Sequence, residues 1–163
     1  MAHQPQIKIP ATYMRGGTSK GVFFRLLDLP EAAQVPGAAR DALLMRVIGS
    51  PDPYGKQIDG MGGATSSTSK TVIIAKSSRP DHDVDYLFGQ VSIDKAFVDW
   101  SGNCGNLSAA VGPFAISAGL VDTVPRRQRG CRSCRSSRRK PDRWRPARTG
   151  NRRRDRAGCS WKR

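Results

Sequence analysis

Apolar positions in the first 122 residues fall into short runs of two different periods, separated by clusters of glycine, proline and small polar residues. Ile7-Lys8-Ile9 and Ala11-Thr12-Tyr13-Met14 alternate as a strand interrupted by Pro10, which suits an edge or a bulge. Arg15-Gly16-Gly17-Thr18-Ser19-Lys20-Gly21 then forms a glycine-rich turn, and Val22-Phe23-Phe24 restarts a strand, so the pair predicts a hairpin or a sharp corner. Residues 38–48 carry helical spacing with Leu44, Val47 and Ile48 on one face, and Gly49, Pro51 and Pro53 stop that helix. A second glycine-rich segment, 60–70, leads into a strand over Thr71 to Ala75, and further strands are expected within 84–93 and over 96–100. The last of these delivers the chain to Gly102-Asn103-Cys104-Gly105-Asn106. From near Asn106 to about Leu120 the pattern reads as a helix, with Gly112-Pro113 as an irregularity. Leu107, Ala110, Val111, Phe114, Ala115, Ile116 and Leu120 leave that helix almost no polar side. A helix apolar all round calls for enclosure, which strands curled around it would provide. The predicted class is α/β (α+β).

Composition splits the chain near residue 122. Met1 to Asp122 holds 11 Lys+Arg against 11 Asp+Glu, whereas Thr123 to Arg163 holds 17 against 2, so the tail carries the whole net charge of +15. The first part, 1–122, suits one small domain. Met1 to Lys20 lacks the basic-then-apolar order of a signal peptide, and no apolar run approaches the ~18–20 residues that span a bilayer. A cytoplasmic, reducing location with no membrane partner is therefore expected, and Cys104, alone in the first part, reads as free. The tail, 123–163, has no Leu, Ile, Phe, Met or Tyr, and Arg outnumbers Lys 15 to 2. It is expected to be disordered, because it buries too little apolar surface to offset the entropy of ordering. Arginines interspersed with Trp144 and Trp161 suit a non-specific nucleic-acid arm. Against that reading, the tail has no RGG or RS repeat, and its Arg, Ser, Pro, Gly, Cys and Trp are what an out-of-frame reading of GC-rich coding sequence yields.

Two positions stand out as chemistry. Cys104 lies between two glycine-asparagine turns at the predicted helix start, where unpaired N–H groups and the positive end of the helix dipole favour a thiolate. The alternative is a small buried cysteine in a tight turn. The segment Gly62-Gly63-Ala64-Thr65-Ser66-Ser67-Thr68-Ser69-Lys70 fails as a P-loop, since Ser69 rather than glycine precedes Lys70. What remains is a run of hydroxyls and N–H donors ending in a lysine, suited to carboxylates as well as phosphates. A lysine buried beside other donors is able to act as a base; the alternative is a solvated lysine starting a strand. Lys70 and Cys104 are thus a candidate acid/base pair at the ends of two loops. Arg15, Ser19 and the Asn103 and Asn106 amides are candidate donors for a developing enolate. A faint echo between residues 16–20 and 62–70 allows two loops facing one ligand, or two unrelated turns. Metal binding has little support: Cys131 and Cys134 make half a zinc site with no matching pair. His3 and His82 fall in polar stretches expected to be exposed, and Asp81, Asp83 and Asp85 read as a solvated strand entry.

Taken together, Met14 to Gly21, Gly62 to Lys70 and Gly102 to Ser108 resemble, in order and spacing, the PrpF family over about residues 5–122. The resemblance implies a diaminopimelate-epimerase-like fold of two pseudo-symmetric lobes, each a curled sheet around a central helix, with the site in the cleft between them. Here the first lobe would be incomplete and the second absent, giving a truncated protein. The implied activity is cofactor-independent isomerisation of an unsaturated tricarboxylate, by cis-trans isomerisation of 2-methylaconitate or an allylic shift of 4-oxalomesaconate. By motif position Lys70 and Cys104 would be catalytic, with Lys70 removing the proton. Arg15, Thr18, Ser19, Ser66, Asn103, Gly105 and Asn106 would bind substrate, with neither metal nor coenzyme.

Overall fold

A computed structural model describes residues 6–80, 82–121, 136–140 and 143–145. Strand β1 (Thr12–Gly16) turns back through Gly17 and Thr18 into β2 (Ser19–Arg25), antiparallel with Gly16 opposite Ser19. The predicted hairpin forms, but its first strand begins only after Pro10 and Ala11. A 3-10 turn (Leu26–Asp28), a short helix α1 (Glu31–Gln34) and α2 (Ala38–Ile48) follow. The chain then returns as β3 (Lys70–Lys76), parallel to β2 with Val22 opposite Thr71. β4 (Val84–Val91) runs antiparallel to β3, and the short β5 (Val98–Asp99) pairs with the end of β4. The strand expected over 96–100 shrinks to these two residues because 92–97 close as a turn, with Ser92 N–H donating to the Phe97 carbonyl at 2.9 Å. Helix α3 (Gly105–Ser117) comes next.

Period-2 alternation gives this sheet two apolar faces, each with its own helix. Phe23, Val72, Ile74, Val84, Tyr86 and Phe88 pack against Leu107, Ala110, Val111, Phe114 and Ala115 of α3. The rings of Phe23 and Phe114 meet at 5.5 Å, a pair worth about 0.5–1.5 kcal/mol beyond its area. Val22, Phe24, Ile73, Leu87, Val91 and Val98 pack against Leu44 and Ile48 of α2 on the other face. A strand one residue out of register would present the wrong set to each helix, so the alternation fixes the register.

As expected of an incomplete lobe, α3 is packed on one side only: Ala109, Pro113 and Ile116 are exposed, Ile116 by 46%. The helix also continues through Gly112 and Pro113. The carbonyl that Pro113 leaves without a helical donor belongs to Ala109, on the exposed side where water is available. His82, expected at the surface, is buried at 6% exposure.

Within the basic tail, β6 (Ser136–Lys140) lies parallel to the start of β4, and β7 (Arg143–Arg145) pairs antiparallel with β6. Adding a strand to the edge of β4 needs backbone hydrogen bonds and no apolar side chains. The expectations placed on the rest of 123–163, including Cys131, Cys134, Cys159 and Trp161, and on His3, lie outside the described residues.

Candidate active site

Lys70 opens β3 on the face turned to α3, two residues before Val72 and four before Ile74. It is no solvated strand-start lysine: only 7% of it is exposed. Its Nζ donates to Gln90 Oε1 at 2.6 Å and sits 5.0 Å from the centre of the Phe88 ring. Gln90 and Phe88 reach it because they share its face of β4, Gln90 directly opposite Lys70 and Phe88 opposite Val72.

Cys104 is the N-cap of α3, buried at 8% exposure, with Sγ accepting the Leu107 N–H at 3.5 Å. The thiol meets Ser19 Oγ at 3.7 Å. The N–H groups of Gly105 and Asn106, the first two helical residues, have no acceptor within the helix by position and line the same end. Asn106 Nδ2 donates to Thr18 Oγ1 at 2.9 Å and to Ser19 Oγ at 3.5 Å. Asn103 Oδ1 accepts from the Tyr86 hydroxyl, which also bonds Ser108 Oγ at 3.0 Å, and Ser108 Oγ donates to the Cys104 carbonyl at 2.9 Å.

What joins the cysteine to the lysine is the backbone of the first hairpin. A methyl group on Gly16 would overlap the Asn106 carbonyl oxygen, so the hairpin tip touches the start of α3 directly. A Cβ on Gly21 would stand 3.0 Å from Leu107 Cδ1 and 3.3 Å from Lys70 Cβ. Gly21 therefore packs against both Lys70 and Leu107 in the first turn of α3, and Ser19, two residues earlier on β2, touches the thiol. The two glycine-rich loops meet as well, Lys20 N–H donating to the Ser67 carbonyl at 2.9 Å.

Thr18, Ser19, Asn103, Gly105 and Asn106 thus gather around Cys104, with Lys70 across Gly21. Ser66 is exposed, on the loop that Ser67 ties to the hairpin. Arg15 is exposed and out of phase with Met14 and Gly16, hence on the side of the hairpin away from α3.

Three supporting residues carried no motif. Tyr86, 1% exposed, holds the Asn103–Cys104 turn from beneath. Gln90 holds Lys70 and donates its own amide to the Ser69 carbonyl at 2.8 Å. Gln57, 1% exposed, donates to Ser50 Oγ and Ser69 Oγ at 2.8 Å each and accepts from Ala64 N–H at 2.9 Å. A lone glutamine gives no periodic signal; only the strand register shows Gln90 facing Lys70. Asp99, opposite Gln90 on β5, has its carboxyl held below the usual range by the Ser101 hydroxyl and N–H. Among the described residues no three His, Cys, Asp or Glu side chains cluster to hold a metal ion. An open groove of about 660 Å³ beside the end of α2 is lined by Arg46, Asp52, Tyr54, Lys56 and Asp59, none of them a candidate residue. No helix among the described residues is long and apolar enough to cross a membrane.

Comparison with known proteins identifies the family. The family model described as PrpF protein matches residues 6–129. The chain is 90% identical over 122 residues to 2-methyl-aconitate isomerase of Cupriavidus necator, covering 75% of this chain and 31% of that protein. It is 57% identical over 116 residues to 4-oxalomesaconate tautomerase of Pseudomonas putida, covering 71% and 30%. The crystal structure of methylitaconate-delta-isomerase superimposes with a TM-score of 0.69 at 47% identity, covering 81% of this chain and 32% of that one. The chain spans about a third of the length of the curated relatives it matches.

Proposed function

Because this chain belongs to the PrpF family and carries its diaminopimelate-epimerase-like fold, we propose that it supplies the proton-transfer groups of an isomerase acting on an unsaturated tricarboxylate. Lys70 takes a proton from a carbon conjugated to a carboxylate, and the electron pair left behind spreads into that carboxylate as a dienolate. The N–H groups of Gly105 and Asn106, the Thr18 and Ser19 hydroxyls and the Asn106 amide are the donors able to hold the developing charge. Cys104 returns a proton. Reprotonation at the far end of the conjugated system moves the double bond; reprotonation at the same carbon after rotation exchanges cis for trans. Neither outcome calls for a metal or coenzyme, and a reducing cytoplasm suits the free thiol.

The observation that carries this reading is a buried lysine packed against Gly21 of the same strand whose Ser19 touches a buried helix-capping cysteine. Nothing in the comparisons supports the nucleic-acid reading of the tail. The composition switch at 122 falls close to the end of the family match at 129, in line with an out-of-frame continuation. The coding DNA tests that point: another frame beyond codon 122 should encode further strand-rich sequence, and its absence would refute the idea. The activity is tested by replacing the matching stretch of the Cupriavidus necator isomerase with residues 1–122 of this chain. The chimera should interconvert the isomers of 2-methylaconitate, followed by proton NMR; a folded chimera without turnover would refute the reading.

A further inference from the structure

We propose that Gln90 is the positioning residue of Lys70, fixing where its amine points; its catalytic meaning rests on Lys70 being the base. The amide of Gln90 has no freedom to invert. Its Oε1 accepts from Lys70 Nζ at 2.6 Å while its Nε2 donates to the Ser69 carbonyl at 2.8 Å, so a flip would set N–H against N–H and oxygen against oxygen. Ser69 is itself held, its Oγ donating to the Val91 carbonyl at 2.7 Å and accepting from Gln57. The lysine is therefore aimed by a clamp that closes on both sides: the ladder sets Gln90 opposite it, and the neighbouring carbonyl locks the amide. The Phe88 ring, 5.0 Å from Nζ, blocks the amine from turning down into the core. One N–H of the amine is committed to Gln90, and the rest of the group is left for whatever lies over Gly21. A carboxamide suits this post better than a carboxylate. It orients the amine by hydrogen bonding, whereas a carboxylate at the same position would hold the ammonium form by full charge.

The other ionisable groups on the elements around Lys70 are Lys20 and Arg25 on β2, Lys76 at the far end of β3, Asp85 and Tyr86 on β4, Asp99 on β5 and Cys104 before α3. All of them remain unchanged in the variants that test the idea, and Asp99 stays ionised throughout the range used because Ser101 holds its carboxyl low.

The test is reductive methylation of the full chain with formaldehyde and cyanoborohydride across a pH series, without substrate. Site-resolved mass spectrometry reads Lys70, with the exposed Lys76 and Lys95 as internal references. In the unsubstituted chain Lys70 should label more slowly than both references. Gln90→Met, which removes the acceptor at similar volume, should move the Lys70 profile to lower pH; Gln90→Glu should move it to higher pH. Each shift should be about one pH unit, or about tenfold in rate at a fixed pH. A merely structural role for Gln90 would loosen the strand end and move both variants the same way. Opposite shifts support the proposal. Shifts of one sign, no shift, or a Lys70 that labels like Lys76 in the unsubstituted chain overturn it. Circular dichroism identifies a variant that does not fold, and Gln90→Leu or Gln90→Asp then takes its place in the pair, so that the sign is always read from two folded variants. Since no turnover is read, failure of the isomerase reading and failure of this one are separate results.

Discussion

In the loop Arg15–Gly21 the glycines bring backbone against the start of α3, whereas in Gly60–Lys70 two backbone N–H groups are taken up by the end of α2. Met61 and Gly62 donate to the Val47 and Ile48 carbonyls at 2.8 and 3.0 Å, so the first half of the second loop closes a helix instead of presenting donors to a ligand. Its hydroxyls also look inward, Thr65 Oγ1 bonding Ser67 Oγ and Thr68 Oγ1 at 2.9 and 2.8 Å. Its last residue, Lys70, is the one buried beside the first hairpin. Similar composition therefore served two purposes, and what each backbone packs against decided which.

The sharpest way to break that comparison is to add one methyl to each loop. Gly16→Ala would collide with the Asn106 carbonyl and Gly60→Ala with the backbone of Ile48 and Gly49, neither of which a side-chain rotation relieves. Each should cost about 3 kcal/mol or more, read by denaturant unfolding. They should differ at the site. Gly16→Ala displaces Ser19 and Asn106 from Cys104 and should abolish turnover in the chimera, whereas Gly60→Ala should spare turnover in whatever fraction stays folded. Next in size is Gln57→Leu, which leaves Ser69, Ser50 and the Ala64 N–H without a shared partner and should cost about 1–3 kcal/mol. An unchanged midpoint would remove Gln57 as the hub of the second loop.

The smallest expected effect is electrostatic. The backbone N–H groups of Tyr54 and Lys56 hold the Asp52 carboxyl below its ordinary range. Its folded value is lower than its unfolded value, so its contribution is fully present above about pH 4 and is lost as pH falls through the folded value. Asp52→Asn should therefore lower stability slightly at neutral pH, flatten the acid side of the stability profile, and cost nothing further below the folded value. An equal loss at every pH would mean that the turn depends on shape and not on charge.

Strand and helix positions were legible where period alone decides: Val22 to Phe24, Thr71 to Ala75, and 38–48 with its stop at Gly49. Pairing was not, because the parallel contact of β2 with β3 joins residues some 50 apart, Val22 with Thr71, across two helices. The apolar surface of α3 was legible as composition, and its open side only through the incomplete lobe that the resemblance implied, since sequence shows that a face is apolar without showing whether anything covers it. Lys70 and Cys104 were visible because loops rich in glycine and small polar residues flank them. Gln90, Gln57 and Tyr86 were not, because their roles arise from strand register and from carbonyls and hydroxyls distant in sequence.

The central claim is that Lys70 removes the substrate proton. It is tested most directly by solvent deuterium incorporation into 2-methylaconitate in D2O, comparing the chimera with its Lys70→Ala variant. Loss of a general base should lower both exchange and isomerisation by about 10²–10⁴-fold with the fold intact. A folded Lys70→Ala variant that exchanges and isomerises at the undiminished rate would contradict it.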